Sequence, residues 1–282
     1  MYHFPIGIII DCFHQDFAVS LQKAAALGAK GIQMYATSGA HSPQELVGAK
    51  RRELLDMVKS SGLCFSALCG DFGMGFGDPA RNPELIEGSK RILDLAKELE
   101  TNIVTTHIGV VPEDPTHDRY KVMQEACREL AEYADSIDAH FAVETGPERA
   151  LTLKNFLDSL DSHGVAVNLD PANLVMVTGD DPVQAVYTLK DYIVHTHAKD
   201  GRKLFDKDPE AIYGIIEEEI KMGHSFIELP LGEGDVDFPN YLKALYEIGY
   251  RGFLTIEREV GEMLEGTIPT AVNFLTKQME EA

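Results

Sequence analysis

Four residues that can bind a metal ion follow apolar, strand-like segments in the second half of the chain. They are Glu144, Asp170, His197 and Glu257. Burying several carboxylates is costly unless their charge is compensated, and a divalent cation shared by three carboxylates and one imidazole provides that compensation. Because this donor set is rich in oxygen, it suits Mn²⁺, Mg²⁺ or Co²⁺, and it also accommodates Zn²⁺. The sequence therefore predicts one divalent metal ion here, with coordination positions left for substrate oxygens.

The elements that would position these residues are parallel strands separated by helices. Short runs rich in Val, Ile and Phe alternate with longer stretches of helical period, the pattern of βα units. Eight such units in about 250 residues are the size of a closed (β/α)8 TIM barrel, whereas an open doubly wound sheet is the alternative. In the barrel, the four residues end consecutive strands and point into one mouth. The predicted strands are Ile6–Asp11, Gly31–Tyr35, Cys64–Cys69, Ile103–His107, Phe141–Glu144, Val165–Asp170, Tyr192–His197 and Phe253–Glu257.

The alternation of strands and helices indicates a single domain over residues 1–282, since no linker or low-complexity segment interrupts it. The largest insertion, residues 198–238, predicts an extended loop after strand 7, where we expect a lid or a contact in a homo-oligomer. Gly28 and Gly249 occupy equivalent places in a weak internal repeat, where a helix is expected to end in the left-handed conformation. Asn82 is predicted to cap the start of the third long helix.

Composition and charge argue against several classes of protein. Hydrophobic residues make up 44% of the chain and charged residues 25%, which is typical of a folded, soluble protein. The net charge of −21 repels a phosphate backbone and disfavours nucleic acid as a partner. The early apolar run Ile6–Ile10 is too short for a signal peptide or a membrane span, so we expect no membrane partner and a cytoplasmic location. The four cysteines have no C-x-x-C spacing and are expected to be reduced thiols.

Five segments carry motifs that are specific in combination. They read VETGPE at 143–148, NLDPANL at 168–174, VHTHAKD at 194–200, PLGEGDVDF at 230–238 and GYRGFLTIE at 249–257. These segments resemble the xylose isomerase-like TIM barrels, the family of sugar phosphate isomerases and epimerases. The similarity covers nearly the whole chain and is strongest from residue 141 onward. It implies a metal-dependent enzyme whose partner is a small-molecule sugar or sugar phosphate.

The resemblance also implies roles for the strand-end residues. Glu144, Asp170, His197 and Glu257 correspond to the ligands of a single metal ion in this family, and Glu144 and Glu257 to its acid/base pair. The second imidazole of the His-x-His strand end faces the metal in the family, so His197 rather than His195 is the expected ligand. The implied chemistry is proton abstraction next to a carbonyl through a metal-stabilised enediolate.

Five further residues are expected to contact the substrate. His107, at the end of the fourth strand, and Arg202, after the seventh, resemble residues of the family's substrate pocket. Asn173 stands where we expect a histidine in the ketose 3-epimerases, and it can donate a hydrogen bond to a substrate hydroxyl but cannot relay a proton. Phe13 and His14, after the first strand, are expected to line the same pocket.

The glycine-rich segment after the third strand does not predict a nucleotide site. Its glycines, at positions 73, 75 and 77, have the spacing of neither a dinucleotide-binding motif nor a P-loop, so no organic cofactor is expected. We expect instead a mobile loop in which Phe72, Met74 and Phe76 cover the barrel mouth.

The leading hypothesis for the function is a divalent-metal-dependent isomerase or epimerase of a small ketose or sugar phosphate. The alternative is a dehydratase of an inosose or a related keto-sugar, because the same enediolate can lose a β-hydroxyl group. A phosphodiesterase similar to endonuclease IV shares the superfamily fold, but the charge of −21 and the small number of strand-end ligands oppose it. A non-catalytic sugar-binding role is the least supported, because it does not require the metal constellation.

Overall fold

The structure, a computed structural model, describes residues 1–217, 223–258 and 266–281. Its strands are β1 (Ile6–Ile9), β2 (Gly31–Tyr35), β3 (Cys64–Cys69), β4 (Ile103–Thr106), β5 (His140–Glu144), β6 (Val165–Leu169), β7 (Ile193–Ala198), β8 (Asp200–Lys203), β9 (Phe226–Leu229) and β10 (Leu254–Ile256). Eight parallel strands close into a ring in the order β1, β10, β7, β6, β5, β4, β3, β2. The predicted (β/α)8 TIM barrel is confirmed, and each barrel strand ends within two residues of its predicted end.

Helices connect successive barrel strands and pack on the outside of the ring. They are α1 (Phe17–Ala26), α2 (Ala49–Ser60), α3 (Asn82–Glu98), α4 (Asp118–Ser136), α5 (Ala150–Asp158), α6 (Pro171–Asn173), α7 (Pro182–Thr188), α8 (Pro209–Ile212), α9 (Phe238–Glu247) and α10 (Thr267–Glu281). Their apolar residues recur at helical spacing and are buried on one face, as on α4, where Met123, Cys127 and Leu130 face the core. Among the described residues, no helix combines the length and the apolar character needed to cross a membrane.

The extended loop predicted after the seventh strand contains secondary structure of its own. β8 and β9 pair as an antiparallel ribbon, and α8 lies between them in sequence. The turn at 231–234 folds around the Asp200 carboxylate, which accepts hydrogen bonds from the backbone N–H groups of Gly232, Gly234 and Val236. The predicted lid or subunit contact stays a prediction, and residues 218–222 of the loop, like 259–265 and 282 of the predicted domain, lie outside the described residues.

Two helix ends confirm the predicted repeat. Gly28 has a φ of +85° after α1, and Gly249 has a φ of +82° after α9. A side chain is disfavoured in this left-handed conformation, which explains a glycine at both positions.

The predicted helix cap at Asn82 is wrong. α3 begins at Asn82 itself. The Asn82 side chain does not cap the helix but donates from Nδ2 to the Phe76 carbonyl at 3.1 Å.

The prediction that Phe76 covers the barrel mouth is also wrong, because its ring is buried edge-on against Phe141, with centroids 5.9 Å apart. Phe72 packs over Gly88 of α3, so Met74 is the exposed apolar side chain of that segment.

A buried carboxyl group joins the loop after β5 to the loop after β4. Glu148 Oε2 accepts a hydrogen bond from the Val111 backbone N–H at 3.0 Å, while Glu148 Oε1 is buried with no hydrogen-bond partner among the described residues. Burial raises the pKa of Glu148 to about 8, because desolvation disfavours the charged form. The folded protein therefore holds this carboxyl group protonated at neutral pH.

We expect Glu148→Gln to become more stable relative to the wild type as the pH rises. The pKa of Glu148 is raised from 4.5 to about 8 on folding, so its contribution to stability is fully present below pH 4.5 and is lost as the pH rises through 8. Glutamine resembles the neutral acid and does not titrate. The wild type should lose up to roughly 1.4 kcal/mol per pH unit relative to the variant in this window.

Urea unfolding of both proteins near the two ends of that window measures this difference. Glu113→Gln, at an exposed glutamate of the neighbouring loop, is the matched control and should show no comparable pH dependence. An equal stability difference between Glu148→Gln and the wild type at both pH values contradicts the assignment.

Candidate metal centre

Four buried side chains meet at the carboxyl ends of the barrel strands. Glu144 ends β5, Asp170 follows β6, His197 lies in β7 and Glu257 follows β10. One ligand atom from each lies within 4.8 Å of the other three, and none of the four residues is more than 6% exposed. Parallel strands bring their carboxyl ends to one mouth, which explains how segments far apart in sequence converge. The structure thus places the four predicted ligand residues in a single cluster.

The imidazole of His197 faces the three carboxylates through Nδ1. This atom lies 3.0 Å from Glu257 Oε2 and 3.6 Å from both Glu144 Oε2 and Asp170 Oδ2. Asp170 Oδ2 is buried and accepts no hydrogen bond from the described residues. A buried acceptor without a donor is costly, and an oxygen-rich group that includes one fits a divalent cation.

A fifth charged group, the ammonium of Lys199, is buried in the same cluster. Its Nζ donates to Glu257 Oε2 at 3.1 Å and lies 4.0 Å from Asp170 Oδ2. Three carboxylates and one ammonium leave two negative charges, which one divalent cation balances. Lys199 was not among the residues predicted for the centre, although the period of two along β7, continued one residue past its end, puts positions 195, 197 and 199 on the same side.

The charges in the cluster shift individual pKa values in opposite directions. Burial raises the pKa of Asp170 to about 6, against the opposing effect of the Lys199 ammonium. Burial by itself would also raise the pKa of Glu257, but Lys199 and His197 outweigh it and hold this pKa well below its usual range. Burial lowers the pKa of His197, yet Glu257 and Glu144 raise it well above its usual value. A metal ion bound at Nδ1 must therefore displace a proton.

The loop after β5 is fitted closely to α6. Thr145 Oγ1 donates to the Asp170 carbonyl at 2.9 Å, and the Asp170 N–H donates to Thr145 Oγ1 at 2.8 Å. Gly146 has a φ of +135°, and a Cβ there would lie 2.4 Å from the Cβ of Asn173. Asn173 in turn donates from Nδ2 to Glu144 Oε1 at 2.8 Å. The two motifs that contain Glu144 and Asp170 are thus locked together by their own neighbours.

Gln33 in β2 determines which nitrogen of His197 faces the carboxylates. Its Oε1 lies 3.1 Å from His197 Nε2, and its Nε2 donates to Thr105 Oγ1 at 3.1 Å. An amide oxygen accepts hydrogen bonds, so Nε2 keeps its proton, and Nδ1 is the atom that would give up its proton to an ion. Gln33 was missed by the sequence analysis, and a polar residue between Ile32 and Met34 in a buried parallel strand is the signal that could have found it.

His195 lies below the cluster and supports it indirectly. Burial lowers the pKa of His195 well below its usual value, so the ring is neutral. Its Nδ1 donates to Asn168 Oδ1 at 2.9 Å, and its Nε2 accepts from Thr255 Oγ1 at 2.9 Å. Asn168 then donates from Nδ2 to Glu144 Oε2 at 3.2 Å. A chain of hydrogen bonds therefore links the barrel interior to one carboxylate of the cluster.

His107 forms one wall of the cluster. Its Nε2 lies 3.7 Å from Glu144 Oε1, and its Nδ1 lies 3.1 Å from Asp71 Oδ2. Burial lowers the pKa of His107, but Glu144 and Asp71 together raise it to about 9. The ring centroid of His107 is 5.9 Å from that of Tyr213, in the loop after β7. The predicted substrate residues His107 and Asn173 both approach Glu144.

The remaining predicted substrate residues lie further from the cluster. Arg202, in β8, donates from Nε to Asp235 Oδ1 at 2.8 Å. Phe13 is half-buried against the core, and His14 is exposed with a φ of +47°. Within the part of the chain that the structure describes, no hydrogen bond or ion pair links Arg202 or His14 to the four ligand residues. Their contacts with substrate stay predictions.

Curated relatives match part of the chain. An uncharacterized protein of Methanocaldococcus jannaschii is 24% identical over 187 residues, which cover 62% of this chain and 56% of that protein. An inosose dehydratase of Lacticaseibacillus casei is 27% identical over 120 residues, which cover 43% of this chain and 39% of that protein. The matches thus span only about half or less of these relatives.

Solved structures match over nearly the full length. A xylose isomerase domain protein from Planctomyces limnophilus is 25% identical with a TM-score of 0.80, over 99% of this chain and 98% of that one. A D-tagatose 3-epimerase-like protein is 18% identical with a TM-score of 0.75, over 99% and 98% of the two chains. A protein from Mycobacterium smegmatis in complex with magnesium is 19% identical with a TM-score of 0.71, over 100% and 99%.

The family comparison agrees with the barrel and with these neighbours. Proteins similar to this chain are named as an epimerase-like protein, a sugar phosphate isomerase/epimerase and a dehydratase. The xylose isomerase-like TIM barrel family matches residues 21–278, which is most of the sequence. The chain therefore belongs to the xylose isomerase-like TIM barrel family.

Proposed function

We propose that this protein is a divalent-metal-dependent isomerase or epimerase that abstracts a proton next to the carbonyl group of a sugar. The observation that carries the proposal is the buried cluster of Glu144, Asp170, His197 and Glu257 at the barrel mouth. Buried carboxylates at the carboxyl ends of TIM-barrel strands are typical of a catalytic site rather than of a stabilising one.

These four residues would hold the ion. A divalent cation bound there supplies Lewis-acid stabilisation of the negative charge that develops on a substrate oxygen when the proton leaves. The oxygen-rich donors suit Mg²⁺, Mn²⁺ or Co²⁺ and accommodate Zn²⁺, and the Mycobacterium smegmatis neighbour was crystallised with magnesium. Lys199 and Gln33 support the proposal, because one balances charge and the other orients the imidazole.

Two carboxylates are available to move protons. Glu144 on β5 and Glu257 after β10 lie three places apart in the eight-stranded ring, so they approach a bound sugar from different sides. One can take a proton from the carbon next to the carbonyl while the other returns one to the opposite face, which inverts the centre. If the same base returns the proton to the neighbouring carbon, the result is an aldose–ketose isomerisation.

The groups around Glu144 can orient the sugar. Asn173 Nδ2 and His107 Nε2 both face Glu144 Oε1, at 2.8 and 3.7 Å. Each can donate a hydrogen bond to a substrate oxygen that lies beside the base. Fixing the sugar in this way places the reacting carbon against one carboxylate, which lowers the entropic part of the barrier.

A dehydratase is the second candidate, since the Lacticaseibacillus casei relatives, which are 27% identical to this chain over 120 residues, are inosose dehydratases. Elimination needs an acid that protonates the departing hydroxyl group. His107 is placed for this role, because its Nε2 lies 3.7 Å from Glu144 Oε1 and an imidazole N–H can donate to a departing oxygen. Loss of water from a keto-sugar, rather than a new isomer, distinguishes this reaction.

We expect hydrogen exchange from D₂O at the carbon next to the carbonyl of a sugar. Proton NMR with ketoses, ketose phosphates and inososes measures the exchange and reveals any dehydration. EDTA treatment should abolish exchange and Mn²⁺ should restore it, because the ion stabilises the developing charge. Glu257→Gln should lower the exchange rate by at least about 10²-fold, since an amide cannot accept the proton.

Glu53→Gln, at an exposed position on α2, is the matched control and should leave the exchange rate unchanged. Exchange that survives both EDTA and Glu257→Gln contradicts the proposal, as does the absence of exchange and of dehydration with every sugar in the panel.

We also expect Gln33→Met to weaken Mn²⁺ binding by about 10- to 100-fold, the usual effect of removing a partner that orients a ligand. Methionine has a similar volume but offers no amide oxygen to His197 Nε2. Thr105→Val is the control, because it removes the contact on the other side of the Gln33 amide and leaves the acceptor for His197 in place. Calorimetric titration with Mn²⁺ measures both affinities. Equal affinities for the wild type and Gln33→Met count against the orienting role.

A further inference from the structure

A cleft of about 400 Å³ opens beside the four-residue cluster, and its lining includes His107 but none of the four ligand residues. It lies between the loop after β3, the loop after β4, the first turns of α4 and the loop after β7. This volume is within the range of about 300–1,000 Å³ found for small-molecule sites. An engineered cavity of about 150 Å³ already holds benzene, so the cleft has room for a ring and its linkage.

His107 connects the cleft to the cluster. Its ring lines the cleft, and its Nε2 is 3.7 Å from Glu144 Oε1. Tyr213 also lines the cleft, with its ring centroid 5.9 Å from that of His107. A molecule whose carbonyl end lies at the cluster can therefore extend past His107 into the cleft.

The cleft walls are largely apolar. Besides Tyr213, the lining includes the buried residues Ile108, Val110 and Met123, together with Met74 and Ile215, which are exposed. Apolar walls of this kind favour an apolar or aromatic group, because its burial removes hydrocarbon surface from water.

The loops that form two of these walls are held together. The Phe76 N–H donates to the Ile108 carbonyl at 2.8 Å, and Asn82 Nδ2 donates to the Phe76 carbonyl at 3.1 Å. Gly75, with a φ of +61°, lies so close to the second loop that a Cβ would be 2.7 Å from the Ile108 oxygen. The cleft is therefore formed before a ligand arrives, which reduces the entropic cost of binding.

The charges along the cleft do not suit a phosphate group. Arg119 forms an ion pair with Glu210, and His107 is paired with Asp71. Asp78 adds a further negative charge, and its own cation, Arg81, lies 3.5 Å away. Among the described residues that line the cleft, no cation is left without an acidic partner. An anionic substituent would thus meet the field of carboxylates rather than a cationic pocket.

We infer that the substrate is a keto-sugar that carries an uncharged apolar or aromatic substituent, and that the cleft binds this substituent. The inference rests on the proposed function for the position of the sugar ring, but the cleft adds the class of substrate. It predicts that a phenyl glycoside binds better than the matching methyl glycoside, and that both bind better than the sugar phosphate.

The test is calorimetric binding to the Mn²⁺-loaded protein of matched methyl and phenyl β-D-glucosides, galactosides and xylosides, with the corresponding sugar phosphates. These glycosides lack a carbonyl group and serve as unreactive ligands that report on the substituent alone. At least one phenyl glycoside should bind about tenfold or more tightly than its methyl counterpart. Ile215→Trp and Met74→Trp, which fill the cleft from exposed positions, should remove that preference.

Ile227→Trp is the matched control. Ile227 is 45% exposed, against 40% for Ile215, and it lies on β9 rather than along the cleft. This variant should keep the preference for the phenyl glycoside. Equal binding of methyl and phenyl glycosides throughout the panel, tighter binding of a sugar phosphate, or a preference that persists in both filled variants overturns the inference.

The binding test and the exchange experiment can fail separately. A phenyl preference that the filled variants lose, without any exchange or dehydration, supports the cleft and contradicts the proposed chemistry. Exchange with free sugars, without any phenyl preference, supports the chemistry and overturns the inference about the cleft.

Discussion

Mutual repulsion among three buried carboxylates is the constraint around which the barrel mouth is organised. Glu144, Asp170 and Glu257 lie within a few ångströms of one another and have little access to water. In such surroundings, an uncompensated negative charge either binds a proton or must be met by a cation. His197 and Lys199 supply part of that compensation. The remaining negative charge is what makes the site suited to a divalent ion, and the same charge also raises the pKa of the neighbouring His107.

The barrel interior below the cluster is polar for a related reason. Gln33 and Asn168 each contact His197, and His195 joins Asn168 to Thr255. Side chains that are hydrogen-bonded on both sides have few alternative rotamers, so they hold the ligand atoms in place. Gly7 belongs to this layer, because a Cβ there would lie 2.5 Å from Thr255 Oγ1. Part of the core is thus used for positioning, and apolar packing is left to the helix layer outside the ring.

The strands and the loops contribute different parts of the barrel mouth. The strands and the residues just after them carry the cluster, while the segments after β3, β4 and β7 shape the space beside it. Members of one barrel family can therefore keep the same chemistry and accept different substrates. In this chain, Arg202 and Asp235 pair with each other on the loop after β7. The apolar cleft, with Tyr213 and Met74 in its lining, is the proposed site for the substrate's substituent.

Residue types and their spacing were enough to predict the barrel, its eight strands and the four residues at the strand ends. Hydrophobic period and strand-to-strand alternation are local, and the parallel barrel then carries every strand-end side chain to one mouth. Four features became visible only in the folded chain: Lys199 lies among the carboxylates, Gln33 faces His197, Phe76 enters the core, and a cleft adjoins His107. These facts depend on distances between segments far apart in sequence and on how much water each group loses. A residue's type and its neighbours in the chain specify neither quantity.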